Sequence, residues 1–310
     1  MSATSPISES PWQAAMRRLR SNQLAVGGGV FIVLLNILCW SAPLLSPYTQ
    51  SQQDLALQAS VPNAAHWMGT DALGRDIATR VLYGGRMSLL VGLAATGVAL
   101  IIGVAYGGIS GWIGGRTDAF LMRFVDVLYA FPFIVFVILL NVAVGEVVKH
   151  WLATQSWLTV EQANRWRGQA ELLILFAAIG AVEWLTMARV VRAQVLALRN
   201  QEFITAARAY GARTPRLLLR HVLPNVIGPV IIYASLTVPG VMLLEATLSF
   251  LGLGIQPPSA SWGTLIADGA REIESSPWML IFPGTFFSLT LLALNFLGDG
   301  LRDALDPKSK

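Results

Sequence analysis

Three carboxylates, Asp126, Glu183 and Glu245, stand inside long apolar stretches of this 310-residue chain. An ionisable group in such surroundings is costly and usually faces a cavity or a partner. Two uses stay open for each: contact with a ligand's amino group or polar backbone along a path, or a carboxyl hydrogen-bonded between helices. Other chemistry has little to work with. The only lysines are Lys149, Lys308 and Lys310, and none lies in a G-x-x-x-x-G-K-[ST] loop, so the chain is not expected to hold nucleotide phosphates. His66, His150 and His221 lie in different segments without zinc-ligand spacing, which argues against a metal site. His66 and His150 read as interfacial residues and His221 as a helix-end residue. Cys39 has no second cysteine to pair with and reads as a small buried hydrophobe. No Ser/Lys, paired-Asp or His-metal constellation is visible, so no enzyme is expected.

The most polar stretch between two apolar runs is Gln194–Asn225, and its punctuation predicts short helices. Asn200 can cap a helix running to about Tyr210, and Gly211 can end it. Thr214 followed by Pro215 can start a second helix, which Pro224 is expected to stop. A helix-turn-helix outside the apolar layer results, with small Ala206 and Ala207 on one side and arginines elsewhere.

The elements that must position these groups follow from composition. Charged residues are 13% of the chain and hydrophobic ones 54%, with a mean hydropathy of +0.57; a soluble domain carries about 25% charged residues. The apolar residues gather into runs long enough to cross a bilayer, about 20 residues each. Spans are expected at 24–45, 87–109, 120–145, 171–191, 226–250 and 279–298, giving an all-α integral membrane protein of about six transmembrane helices. The chain divides into a tail 1–23, a first span 24–45, an outer segment 46–86, a five-helix domain 87–298 containing the loop 200–224, and a tail 299–310. The first apolar run is too long for a secretory h-region, so it reads as an uncleaved span. Placing both termini in the cytoplasm puts 15 of the 22 lysines and arginines on that side, as the positive-inside rule requires. The basic residues are nearly all arginines between apolar runs, without a lysine-rich block, which argues against nucleic acid. Lipid is the expected solvent.

Gly103, Gly107, Gly111 and Gly115 recur every four residues and predict a seam where two helix backbones meet. Trp151, Trp157, Trp166, Trp262 and Trp278 suit a bilayer interface, with core packing as the alternative. Thr159–Gln162 fits a capping box and predicts a short surface helix within 146–170.

The segment around residues 200–224 resembles the EAA loop of permease subunits of ATP-binding-cassette importers, whose pattern is Glu-Ala-Ala, three residues, Gly, nine residues, Ile, one residue, Leu-Pro. It falls here on Thr205, Ala206, Ala207, Gly211, His221, Leu223 and Pro224; Thr205 replaces the Glu and His221 the Ile. The strings GTDALGRDIATRVLYGGRMSLLVG (69–92), MRFVDVLYAFPF (122–133), MARVVRAQVLALRNQEF (187–203), LSFLGLGIQPPSASWG (248–263) and NFLGDGLRDALDP (295–307) are similar to the dipeptide and oligopeptide permease branch, specifically its second permease subunit.

That resemblance implies a type I importer permease fold in a bacterial inner membrane. It implies a homologous second permease, two ATPase subunits or domains that bind the ATP and Mg, and a periplasmic peptide-binding protein. The short helix carrying Thr205, Ala206, Ala207 and Gly211, with Leu223 and Pro224 beyond it, would couple ATPase closure to the membrane helices. Asp126 and Glu245 fall within the branch's pattern, whereas Glu183 is peculiar to this chain. Oligopeptides are the expected cargo; dipeptides, glutathione and nickel complexes are alternatives within the branch. A transporter driven by an ion gradient is a rival from another class, and it would lean on Glu183.

Overall fold

Hydrocarbon offers no water to backbone N–H and C=O groups, so an apolar chain crosses it as helices. The computed structural model describes residues 11–154 and 160–305, and among them there is no strand. The helices are α1 (Pro11–Ser21), α2 (Gln23–Trp40), α3 (Ala42–Leu45), α4 (Ile77–Ile113), α5 (Gly115–Ala130) and α6 (Phe133–Ala153). They continue as α7 (Val160–Arg199), α8 (Glu202–Ala209), α9 (Thr214–Leu217), α10 (Leu223–Phe250), α11 (Trp262–Arg271) and α12 (Trp278–Leu305). Among the described residues five helical stretches are long and apolar enough to cross a membrane: α2, α4, Leu172–Arg199 of α7, Thr214–Phe250 and α12. A sixth arises when α5 and α6 are taken together.

That sixth stretch departs from the straight span expected at 120–145. Its two helices bend by 93° at a break beside Phe131 and Pro132. The cause is local: the ring of a proline disfavours helical backbone in the residue before it, and Phe131 is extended, with φ −75° and ψ 140°. Other boundaries shift for similar reasons. α4 begins ten residues before the apolar run, because Asp76 caps it and accepts the Thr79 N–H at 2.7 Å. Thr159 lies outside the described residues, and Val160 onward is the first part of α7 rather than a separate surface helix. Pro224 does not stop the helix that starts at Thr214. A π-helical turn, Leu218–Val222, precedes it, and Leu223 N–H donates to the Leu218 carbonyl. The change of register carries the helical path past the missing proline N–H, so Pro224 sits in the first turn of α10.

The tightest seam joins α4 to α7. A methyl group on Gly103 would lie 2.6 Å from Met187 Cβ, one on Gly107 2.2 Å from the Ala188 carbonyl oxygen, and one on Gly111 2.8 Å from the Arg192 oxygen. Gly115 departs from the expected stripe: nothing lies within 4 Å of such a methyl, and its φ of +60° makes it a turn residue beside Gly114. Ser110 Oγ donates to Asp118 at 2.6 Å, and Arg192 grips the same carboxylate at 2.5 and 2.6 Å, so the seam is pinned to α5 as well.

Between α3 and α4 the chain is irregular but tied down. Asp71 is 2% exposed and accepts from the N–H groups of Leu73 and Arg75, from Arg75 Nε at 2.7 Å and from the buried Arg80 guanidinium. His66, expected at an interface, is instead buried: its ring stacks on Tyr48 and its Nδ1 lies 2.9 Å from Asp76. The tryptophans divide. Trp151 and Trp166 are exposed, Trp157 lies outside the described residues, and Trp278 is partly buried with its N–H reaching the Thr70 carbonyl. Trp262 is fully buried; its indole N–H donates to the Val81 carbonyl at 2.9 Å and its backbone N–H to Ser88.

The seam yields a contrast within one helix. Gly107→Ala places a methyl against backbone that cannot yield and should destabilise the fold by about 1–3 kcal/mol. Gly97→Ala, with nothing within 4 Å, should be neutral or stabilising by up to about 1 kcal/mol through helix propensity. Thermal unfolding of the detergent-solubilised chain should show a lower midpoint for the first only; equal midpoints would remove the seam from the account.

Candidate functional site

The buried anchor of α8 is a single side chain. Ile204 is fully buried and packs in one cluster with Met187, Val191 and Val195 of α7, with Val222 at the end of the π turn and with Val226 of α10. Around it the helix is open. Thr205 and Ala206 are exposed, Ala207 is half-buried, and Tyr210 is 93% exposed. Asn200 does not cap it; Gln201 holds that position and makes no side-chain capping bond. Glu202 in the first turn and Arg208 in the last suit the helix dipole.

Gly211 stops α8 through its backbone. Its φ is +80°, its N–H donates to the Arg208 carbonyl, and Ala212 N–H donates to that of Ala207. These two bonds form a Schellman stop, which needs the left-handed conformation that glycine takes most easily. Nothing lies within 4 Å of a methyl at this position, so the requirement is conformational and not steric.

Two arginines join α8 and its approach to α4. Arg208 lies over the Trp112 ring at 5.6 Å, and Arg199 donates to the Ile113 carbonyl at 3.0 Å. The loop residues separate into two groups. Thr205, Ala206, Ala207 and Gly211 share α8 and its end, whereas Leu223 and Pro224 begin α10 and His221 lies in the π turn. Leu223 is half-buried beside Gly108 of α4, and Pro224 is exposed. The sequence pattern therefore marks a short exposed helix and the helix start that braces it.

The intramembrane carboxylates have three different surroundings. Asp126 accepts from Arg189 at 2.7 Å, with side chains 65% and 42% exposed; the guanidinium also lies over the Tyr129 ring at 4.2 Å. Tyr129 in turn shares a short hydrogen bond with Thr186. Glu245 is fully buried. One of its oxygens accepts from Ser249 at 2.8 Å and Ser261 at 2.7 Å, tying α10 to α11, and the other has no partner among the described residues. The arrangement is that of a buried carboxyl hydrogen-bonded between elements of the fold. Glu183 is half-buried in α7 and lines a cleft with Tyr129, Phe131 and Phe136.

The Asp118–Arg192 pair and the double role of Ser261, helix cap and carboxylate donor at once, have no signature in the sequence. Ser261 Oγ accepts the Thr264 N–H while donating to Glu245. Both partnerships join residues distant in the chain, so no local spacing announced them. Among the described residues no group of His, Cys, Asp or Glu could hold a metal ion.

Two substitutions separate anchor from stop. Ile204→Ala should cost about 2–5 kcal/mol of local packing and speed amide hydrogen exchange throughout α8. Gly211→Ala should cost about 1–2 kcal/mol in backbone strain and speed exchange only in the last turn. Unchanged exchange in the first variant would mean that α8 is held by something other than Ile204.

Residues 91–310 match the family described as binding-protein-dependent transport system inner membrane component. Residues 10–65 match the N-terminal TM domain of oligopeptide transport permease C. The chain is 45% identical over 301 residues to the oligopeptide transport system permease protein OppC of Haemophilus influenzae, covering 96% of this chain and 89% of that one. It is 45% identical to the protein of the same name from Escherichia coli strain K12, over 96% and 92% of the two chains. It is also 43% identical to the dipeptide transport system permease protein DppC of Bacillus subtilis, over 96% and 85%. With its apolar spans, its exposed α8 and these matches, the chain belongs to the family of inner-membrane components of binding-protein-dependent transport systems.

Proposed function

We propose that this chain is one permease subunit of an ATP-driven importer that moves oligopeptides across a bacterial inner membrane. The observation that carries the reading is α8: a short, exposed helix with small side chains outward, one buried anchor and a defined stop. Such an element suits docking against a moving partner, because a rigid helix transmits displacement that a floppy loop would absorb. Oligopeptides are favoured by the names of the relatives at 45% identity, and dipeptides by that of the relative at 43%.

In this reading both termini and α8 face the cytoplasm, supported by the surplus of arginines on that side. The chain pairs with a homologous second permease, and lipid surrounds both. Two ATPase subunits or domains bind ATP and Mg and seat against Thr205, Ala206, Ala207 and Gly211, while Leu223 and Pro224 brace the seat. A peptide-binding protein delivers cargo on the outer side. The chain itself supplies half of a pathway and no covalent chemistry. Asp126, exposed and paired with Arg189, belongs on a face covered by water or by the second permease, since a charge pair turned to lipid is costly. Glu245 acts as a tie between α10 and α11.

The test is uptake by the chain co-expressed with its genomic neighbours and reconstituted with the binding protein. ATPase subunits should co-purify stoichiometrically, and labelled tri- to pentapeptides should accumulate only with ATP. Ala206→Trp adds bulk to an exposed face, where folding is little affected, within about 0.5 kcal/mol; it should cut ATPase co-purification severalfold. Uptake that follows a proton or sodium gradient without ATP would overturn the importer reading, and dipeptide uptake in place of longer peptides would reassign the cargo.

A further inference from the structure

Glu183 stands near the middle of the apolar stretch Leu172–Arg199, where an ionisable side chain usually has a specific partner. Among the described residues its carboxylate has no hydrogen bond or ion pair, unlike Asp126 with Arg189 or Glu245 with two hydroxyls. It lines a cleft of about 80 Å³ with Leu128, Tyr129, Phe131, Phe136 and Thr186.

Three features of this cleft limit what it can take. The charge facing it is negative, and Arg189, which lies over the ring of the cleft residue Tyr129, is committed to Asp126. The walls are aromatic on one side, and the face of a tyrosine or phenylalanine attracts a cation. The volume holds a few heavy atoms, so only the end of a larger ligand can enter. A single carboxylate without further His, Cys, Asp or Glu does not make a metal site.

We infer that Glu183, with Tyr129, Phe131 and Phe136, forms a recognition site for a primary ammonium group, the protonated amino terminus of a peptide in passage. The inference rests on the import reading above for the identity of the ligand that carries the ammonium. Three N–H donors of the ammonium would find the Glu183 carboxylate and nearby hydroxyls, and the rings would face its positive charge. Thr186 and Tyr129 hold each other by a hydrogen bond and so fix the wall beside the carboxylate. Asp126 and Arg189 extend the same polar strip along α5 and α7.

The experiment uses the whole complex in lipid nanodiscs, without binding protein, and measures equilibrium binding of radiolabelled tri-alanine and of N-acetyl-tri-alanine. The wild type should bind the free-amine peptide at least about tenfold more tightly, the scale of one charge-assisted hydrogen bond. Glu183→Gln should abolish that preference while leaving N-acetyl-tri-alanine binding and ATPase co-purification unchanged. Phe136→Leu keeps the carboxylate and should reduce the preference severalfold, which tests the site even when the first variant misfolds. A wild type that does not discriminate, or a preference that survives Glu183→Gln, overturns the inference. ATP-driven uptake of tri-alanine by the same wild-type complex reports separately on the import reading, so failure of the site and failure of the function are told apart.

Discussion

The close approach of α4 and α7 at Gly103, Gly107 and Gly111 is the contact on which the rest of the molecule depends. Lipid tails are as apolar as leucine, so helices in a bilayer gain little from hiding hydrophobic surface from one another. What remains is close packing, and backbones come close only where side chains are absent. At Gly107 the neighbouring carbonyl occupies the space a β-carbon would need. With that seam in place, Ser110, Asp118 and Arg192 fall within hydrogen-bond reach and bring α5 to the same two helices. The seam also sets the end of α7 against the end of α4, where Arg199 meets the Ile113 carbonyl. α8 therefore starts from a fixed platform.

A second constraint is the handling of polar groups that cannot reach water. Several buried ones draw their partners from elsewhere in the fold. Asp71 gathers Arg75 and Arg80, Ser261 serves a helix cap and Glu245 together, and the Trp262 indole meets the open Val81 carbonyl. These ties hold the irregular segments before α4 and before α11 without secondary structure of their own. Such networks are strong while complete, and removing one partner from a buried ion pair leaves the other charge stranded. Rigidity on the side away from α8 comes from this polar bracing, whereas α8 leans on Ile204 and its apolar neighbours.

Much of the architecture could be read directly. Apolar runs marked the spans, and the four-residue glycine spacing marked a seam whose partner helix remained unspecified. Proline and glycine were legible to different degrees. Gly211 ends α8 as its position suggested, because the left-handed stop is a local property. Pro224 did not end its helix, since a π turn supplied the room, and that accommodation depends on how α9 and α10 pack. Pro132 acted through the residue before it, breaking a span that hydropathy alone joins. His66 looked like an interface residue by type and proved to be buried, and Trp262, for which interface and core both stood open, took the core, because their partners Asp76, Ser88 and Val81 come from α4 and its cap.

The sequence by itself determined the solvent, the approximate number of spans, a short helix outside the apolar layer ending near Tyr210, and its glycine stop. These follow from hydropathy, local punctuation and backbone sterics, which act within one or two helical turns. Only the tertiary structure decided which intramembrane carboxylate is tied up and which is available. Asp126, Glu183 and Glu245 are alike as residues in apolar runs. Their difference lies in what the fold brings to them: a guanidinium from α7 for Asp126, an aromatic cleft for Glu183, and for Glu245 the Ser261 hydroxyl beside that of Ser249 on its own helix. The surroundings of a carboxylate in a membrane depend largely on groups distant in the chain, such as Arg189 for Asp126 and Ser261 for Glu245, and packing supplies those.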